Sequence, residues 1–249
     1  MMVEGRHWRT GADMADVAWK LIAVNLSDLA AKGAVPVGVL LGHTLGDGDE
    51  QFLAGLRDVL ETYGVPLLGG DTVASGGART LGCTAIGRAA HTPVPSRSGA
   101  QIGDGVYVTG VLGRAMLGFE QPTADDANAR AFNRPTPLLK EGQALAPYVT
   151  AMMDVSDGLL LDCWRLASAS DVTIELASDK IPVADPARRD ECVRWGDDYQ
   201  LLFTASANST IPVPATRIGD VNSRRSQPLS LDHAPLTSSD KLGYEHRQD

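Results

Sequence analysis

Cysteine, aromatic residues and positive charge are all scarce in this chain. Its 249 residues include three cysteines, 5% aromatics, and 22 Lys+Arg against 31 Asp+Glu, for a formal net charge of −9. Cys83, Cys163 and Cys192 are odd in number, widely spaced and without a CxxC pair, which argues against a disulfide framework and a zinc knuckle. Unpaired thiols of this kind suit a reducing cytoplasm. The acidic balance argues against nucleic-acid binding and against docking on an anionic membrane, because both need a basic surface. The longest apolar-plus-glycine stretch, Ala34 to Gly42, is far shorter than the ~20 residues of a membrane-spanning helix. The first residues, from Met1 to Trp8, have no apolar segment of the kind that directs secretion. Missing too are a GxxxxGK[ST] loop, kinase HRD and DFG strings, a GxSxG elbow and an HExxH helix, and the five histidines show no ligand spacing. What remains is an ordinary globular composition, 43% hydrophobic and 21% charged, long enough for one large domain or two modest ones.

Hydrophobic periodicity predicts alternating helices and strands. The first half reads as helix Asp13–Lys32 ended by Gly33, strand Val35–Leu41, helix Asp49–Tyr63, strand Val65–Leu68 running into Gly69-Gly70-Asp71, and strand Thr80–Arg88. A Pro/Ser/Gly-rich link from His91 to Gly105 follows. The second half reads as strand Val106–Thr109, a helix from about Ala115, an exposed excursion Gln121–Pro137 and a helical Leu138–Thr150. Then come strand Ala151–Met153, helix Gly158–Ala169, strands Val172–Leu176, Tyr199–Ala205 and Thr216–Val221, and a weakly patterned tail from Asn222. Two mixed halves imply an α/β plus α+β architecture in two lobes.

The aspartates stand in informative places. On the first helix Val17, Leu21, Val24 and Asp28 share one stripe, and a second apolar arc leaves little polar circumference. Asp28 therefore either serves a site or forms a surface i,i+4 pair with Lys32. Asp71 follows an apolar strand and two glycines, where backbone can approach a ligand, although an Asx turn has the same signature. Asp154 closes a strand, and Ser156 or Asp157 would cap the helix after it. Asp197 and Asp198 precede another strand. Gly-flanked carboxylates at element ends share one physical use, holding Mg²⁺ that bridges them to phosphate, and so let an acidic protein bind a nucleotide.

Five strings occur in order: Val24-Asn25-Leu26-Ser27-Asp28-Leu29-Ala30-Ala31-Lys32-Gly33-Ala34, Gly69-Gly70-Asp71-Thr72, Arg97-Ser98-Gly99-Ala100, Asp154-Val155-Ser156-Asp157-Gly158 and Gly196-Asp197-Asp198-Tyr199-Gln200-Leu201. Together they resemble the thiamine-monophosphate kinase family, of the superfamily of aminoimidazole ribonucleotide synthetase, selenophosphate synthetase and HypE. The likeness runs from about Val3 to Tyr244. It implies a two-lobed PurM-like fold, with an N-terminal lobe over residues 1–92 and a C-terminal α+β lobe over 103–249. It implies an enzyme that phosphorylates thiamine monophosphate from ATP by direct in-line transfer with several Mg²⁺ ions. Carried over by motif, Asp28, Asp71, Asp154 and Asp157 would be metal ligands, and Gly70, Arg97 and Ser156 would contact ATP. His7 of the VEGxH string, Asp197 and Tyr244 would contact the thiamine substrate. No general base and no covalent nucleophile is expected.

This sequence departs from the family in several places. The family's Gly-Asp-Asp string and Ser/Thr-Asp strand, upstream of VEGxH, have no counterpart here, which implies an incomplete N-terminal lobe. Fewer or weaker Mg²⁺ sites, little turnover, and a homodimer weakened at that lobe would follow. A gene start placed late, and a non-catalytic homologue that binds nucleotide or a protein partner, are the two expectations this leaves. Trp195 replaces a glycine of the family's GGED string, Asp197 its glutamate, Gln200 a glutamate, and Leu138 the last arginine of RPxPR.

Overall fold

The computed structural model describes residues 1–123 and 126–245. The first sheet has strands β1 (Met2–Val3), β2 (Ala34–Thr44), β3 (Leu67–Val73) and β4 (Thr80–Ala89), in the order β1-β4-β2-β3. Strand β4 runs antiparallel to β1 and β2, whereas β2 and β3 are parallel and need a crossover, which helix α2 (Asp49–Tyr63) provides. Helix α1 (Met14–Ala30) precedes β2, and Asp13 caps it by accepting the Ala15 N–H at 2.8 Å. Leu21, Ile22 and Leu26 are fully buried, each contributing about 1.5–3 kcal/mol of apolar burial.

The second sheet holds β5 (Asp104–Val108), β6 (Ala151–Asp154), β7 (Val172–Leu176), β8 (Leu201–Ser206), β9 (Thr216–Ser223), β10 (Leu229–Leu231) and β11 (Ala234–Pro235). Their order is β11-β10-β7-β9-β5-β8-β6, antiparallel throughout except for the parallel β10–β7 pair. Helices α3 (Arg114–Glu120), α4 (Ala127–Asn133), α5 (Leu139–Leu145), α6 (Leu159–Ala169) and α7 (Arg189–Trp195) complete the chain.

The two sheets are not separate bodies. Strand β8 is buried on both faces: Leu201, Phe203 and Ala205 join the core built on α1 and α2, while Leu202 joins the core under α6. Strand β6 divides in the same way, Met152 to the first core and Ala151 and Met153 to the second. Side chains alternate faces with period two, so these strands are clamped between α1 with α5 on one side and α6 on the other. This arrangement brings the ends of β6 and the loop before β8 against α1.

Several expectations need correction. The excursion over 121–137 contains α4, and residues 124–125 within it lie outside the described residues. The weakly patterned tail supplies β10 and β11, and α7 went unpredicted. Gly69, Gly70 and Asp71 lie inside β3 rather than after it. Gly70 is required by packing: a β-carbon there would meet the Leu41 carbonyl oxygen of β2 at 1.9 Å.

Candidate active site between the two sheets

Asp154 is the last residue of β6 and almost fully buried, and it accepts a hydrogen bond from the Ser27 hydroxyl of α1 at 2.6 Å. Burial first, then the negative charge of Asp28, pushes the Asp154 carboxyl up to about 6. Asp28, one residue beyond Ser27, is open to solvent but crowded enough that burial raises its pKa, opposed by Lys32 and Arg97. Lys32 is shifted down by burial and then by Arg97, with Asp154 and Asp28 pulling the other way. The i,i+4 partners Asp28 and Lys32 therefore do interact, but within a four-charge group to which Arg97 and Asp154 also belong.

Arg97 reaches this group from the loop between the sheets, which is pinned at several points. Ser96 O accepts from Met152 N at 3.1 Å, and Arg97 O accepts from the Ser170 hydroxyl at 2.7 Å. A β-carbon at Gly99 would sit 2.0 Å from the Thr150 carbonyl oxygen, so this close approach admits only glycine. The Arg97 side chain stays exposed at the edge of β6.

The loop after β6 is organised from inside the next helix. Neither Ser156 nor Asp157 caps α6, which begins at Leu159 with Gly158 in the cap position and no side-chain cap. Instead Asp162, completely buried in the first turn, accepts the Ser156 and Asp157 N–H groups at 3.0 and 3.1 Å and Arg165 Nη1 at 3.0 Å. Burial pushes the Asp162 carboxyl up to about 7. Arg165 also pairs with the Asp157 carboxylate. Two further strings dock on this loop: Asp197 N donates to Ser156 O at 2.9 Å, and Tyr244 N donates to Asp157 O at 2.8 Å.

In the segment before β8, Asp197 and Tyr199 adopt left-handed backbone, with φ of 57° and 50°. Non-glycine residues pay for that conformation, and such strain gathers at functional sites. Asp197 accepts from the Tyr199 hydroxyl at 2.8 Å and from Lys20 Nζ of α1 at 2.7 Å. Asp198 turns the other way and accepts the Gly113 N–H at 2.9 Å before α3; burial lifts its pKa to about 7. Lys20 also lies 3.9 Å from the Phe132 ring centre. Beside it opens a cavity of about 500 Å³ whose walls include His7, Trp8, Lys20, Phe132 and Arg134. His7 Nδ1 accepts the Val3 N–H at 3.0 Å, so a neutral ring carries its proton on Nε2.

The predicted residues thus separate into four places. Asp28, Arg97 and Asp154 meet at the α1–β6 junction; Ser156, Asp157, Asp197 and Tyr244 meet around the loop after β6; His7 lines the cavity that Lys20 shares. Asp71 and Gly70 are on β3, where Asp71 is exposed and its carboxylate accepts its own Thr72 N–H at 2.9 Å. The expected four-aspartate metal cluster is not assembled: among the described residues no three His, Cys, Asp or Glu side chains are grouped to hold one ion. Sequence reasoning missed Ser27, Lys20, Tyr199, Asp162 and Arg165. Lys20 and Asp162 did carry a signal, each being a charge set among apolar helix positions.

The family "AIR synthase related protein, N-terminal domain" matches residues 1–89, and its C-terminal domain matches residues 101–217. A thiamine-monophosphate kinase of Escherichia coli (strain K12) is 34% identical over 286 residues, covering 98% of this chain and 84% of that protein. A crystal structure of thiamine monophosphate kinase from Aquifex aeolicus is 28% identical with a TM-score of 0.85, covering 94% of this chain and 86% of that one. A structure described as AaThiL complexed with AMPPCP and TMP is 27% identical with a TM-score of 0.88, covering 99% of this chain and 85% of that one.

Proposed function

This chain belongs to the thiamine-monophosphate kinase family, as a kinase of mixed α/β PurM-like fold, and we propose that it transfers the γ-phosphoryl group of ATP to thiamine monophosphate. The observation that carries this reading is the junction where Ser27 and Asp28 of α1 face Asp154 of β6, with Lys32 and Arg97 alongside. In the two-lobe reading, residues 1–92 and 103–249 each contribute one carboxylate to it.

The acceptor is itself a phosphate, whose second pKa is near ~6, so at neutral pH it is largely deprotonated and needs no general base. The difficulty is the mutual repulsion of two anions, which positive charge at the junction offsets. Arg97 and Lys32 supply two cations there. Asp28 and Asp154 fit as ligands for Mg²⁺: both are hard oxygen donors at one junction, and burial raises the pKa of each, with the Asp28 charge adding to the rise at Asp154. Bound there, Mg²⁺ would neutralise the phosphate charge between donor and acceptor. Asp157, already paired with Arg165, and Asp71, out on β3, fit that role less directly. Ser156, with its backbone N–H held by Asp162, and Gly70 are assigned to the nucleotide. His7, Asp197 and Tyr244 are assigned to the thiamine moiety.

Transfer is direct and in line, with no phospho-enzyme. Supporting this, burial raises the thiol pKa values of Cys83, Cys163 and Cys192, which leaves them poor nucleophiles. Incubation with ATP, Mg²⁺ and thiamine monophosphate is expected to give thiamine diphosphate, even if slowly, without trapping ³²P on the protein. A radiolabelled protein intermediate would overturn the direct route, and no product would overturn the kinase reading.

A homodimer through the first sheet belongs to the same reading. Val35, Val37 and Leu40 of β2, Leu67 and Leu68 of β3 and Ile86 of β4 are all exposed, six large apolar side chains on three neighbouring strands of the first sheet. The described helices include none long and apolar enough to cross a membrane, and free thiols suit the cytoplasm.

A further inference from the structure

The pair formed by Lys20 and Asp197 has properties that fold stability alone does not explain. The two residues are 177 positions apart and join α1 to the segment before β8. Lys20 keeps only 6% of its side chain exposed, whereas Asp197 keeps 34%. A buried ammonium is therefore committed to a carboxylate that stays open to solvent. Burying an ammonium is costly, and an apolar side chain of similar length could pack on Phe132 and Val17 at no such cost. Asp197 also sits in left-handed backbone, and its second oxygen is fixed by Tyr199. Two donors and a strained backbone thus hold one accessible carboxylate in a single orientation, next to the cavity that Lys20, His7 and Phe132 line.

We propose that Lys20 is a positioning residue for the phosphoryl acceptor, holding the Asp197 carboxylate in the orientation that receives the cationic, amino-bearing ring system of the substrate. Thiamine monophosphate offers a carboxylate both a fixed positive charge and an amine donor. Lys20 acts through Asp197, whereas the nucleotide end, at Asp28, Arg97 and Asp154, is independent of it. The proposal rests on the kinase reading above.

Calorimetric titration of the full chain with thiamine monophosphate, and separately with AMPPCP and Mg²⁺, tests it. Lys20→Met is expected to raise the thiamine monophosphate Kd at least tenfold while leaving nucleotide affinity within twofold. Asp197→Asn should do the same, and the Lys20→Met/Asp197→Asn double variant should bind no more weakly than Asp197→Asn alone, because Lys20 works through that carboxylate. In turnover, the loss should fall on KM for thiamine monophosphate and not on kcat. Unchanged acceptor affinity in Lys20→Met, or multiplying losses in the double variant, would overturn the proposal with the kinase reading intact. Wild-type chain that binds no thiamine monophosphate would overturn both. If Lys20→Met loses nucleotide binding through misfolding, Asp197→Asn and Tyr199→Phe decide: both should weaken acceptor binding, and unchanged affinity in the two would overturn the proposal.

Discussion

The Ser27 hydroxyl and the Asp154 carboxylate meet at 2.6 Å where α1 crosses the end of β6, joining an element that packs on the first sheet to a strand of the second. This bond is the main opposition, by hydrogen bonding, to the burial that raises the Asp154 pKa. Ser27→Ala is therefore expected to destabilise the fold by about 1–2 kcal/mol, as loss of a buried bond to a carboxylate does. A shift of the urea midpoint to lower concentration at unchanged slope measures it.

Asp154→Asn should behave differently. Asparagine can still accept from Ser27, and removing the charge relieves repulsion with Asp28, so stability at pH 8 should be unchanged or slightly higher. Binding of Mg²⁺ with AMPPCP should be abolished, because one of the two carboxylates at the junction is gone. Calorimetry reads both quantities on one preparation; unaltered affinity would remove Asp154 from the site.

Buried carboxylates shape the pH response, Asp154 at about 6 and two others higher still. Asp162 and Asp198 both have folded pKa values of about 7, against 3.8 for an ordinary aspartate. Between these limits the native state holds protons that the unfolded state has released, so stability must fall as pH rises. Their penalty is absent below about pH 4 and fully present above about pH 7. The urea midpoint is expected to be higher at pH 5.5 than at pH 8, and Asp198→Asn should flatten part of that slope.

On the first sheet, Leu68→Glu places a charge among the exposed apolar side chains at the start of β3. The folded state loses little, since this side chain is already half exposed. A shift from dimer to monomer in sedimentation, with an unchanged far-ultraviolet circular dichroism spectrum, is the expected result.

Much of this molecule could be read before any coordinates. Helix α2 runs from Asp49 to Tyr63 as its periodicity requires, and β7 spans the predicted Val172–Leu176. Both elements have one polar and one apolar side or a clear β-branched run, so local pattern and environment agree. Strands β6 and β8 were found as strands, but not as a shared layer, because a strand buried on both faces shows no alternation to orient it. The β10 strand escaped detection for a related reason: three residues, Leu229–Leu231, become a strand only by lying parallel beside β7.

The sequence by itself determined the candidate residues and their order, because aspartates beside glycines are written in the local chain. It could not determine which of them share a space. Asp154 reaches Ser27 across 127 positions and Asp197 reaches Lys20 across 177, and only the clamping of β6 and β8 against α1 creates those contacts. The tertiary structure also divided the four expected metal aspartates, joining Asp28 to Asp154, tying Asp157 to Arg165 and leaving Asp71 on β3. The physical reason is range: capping, periodicity and turn preference act over a few residues, whereas burial and charge act between whatever the packed core brings together.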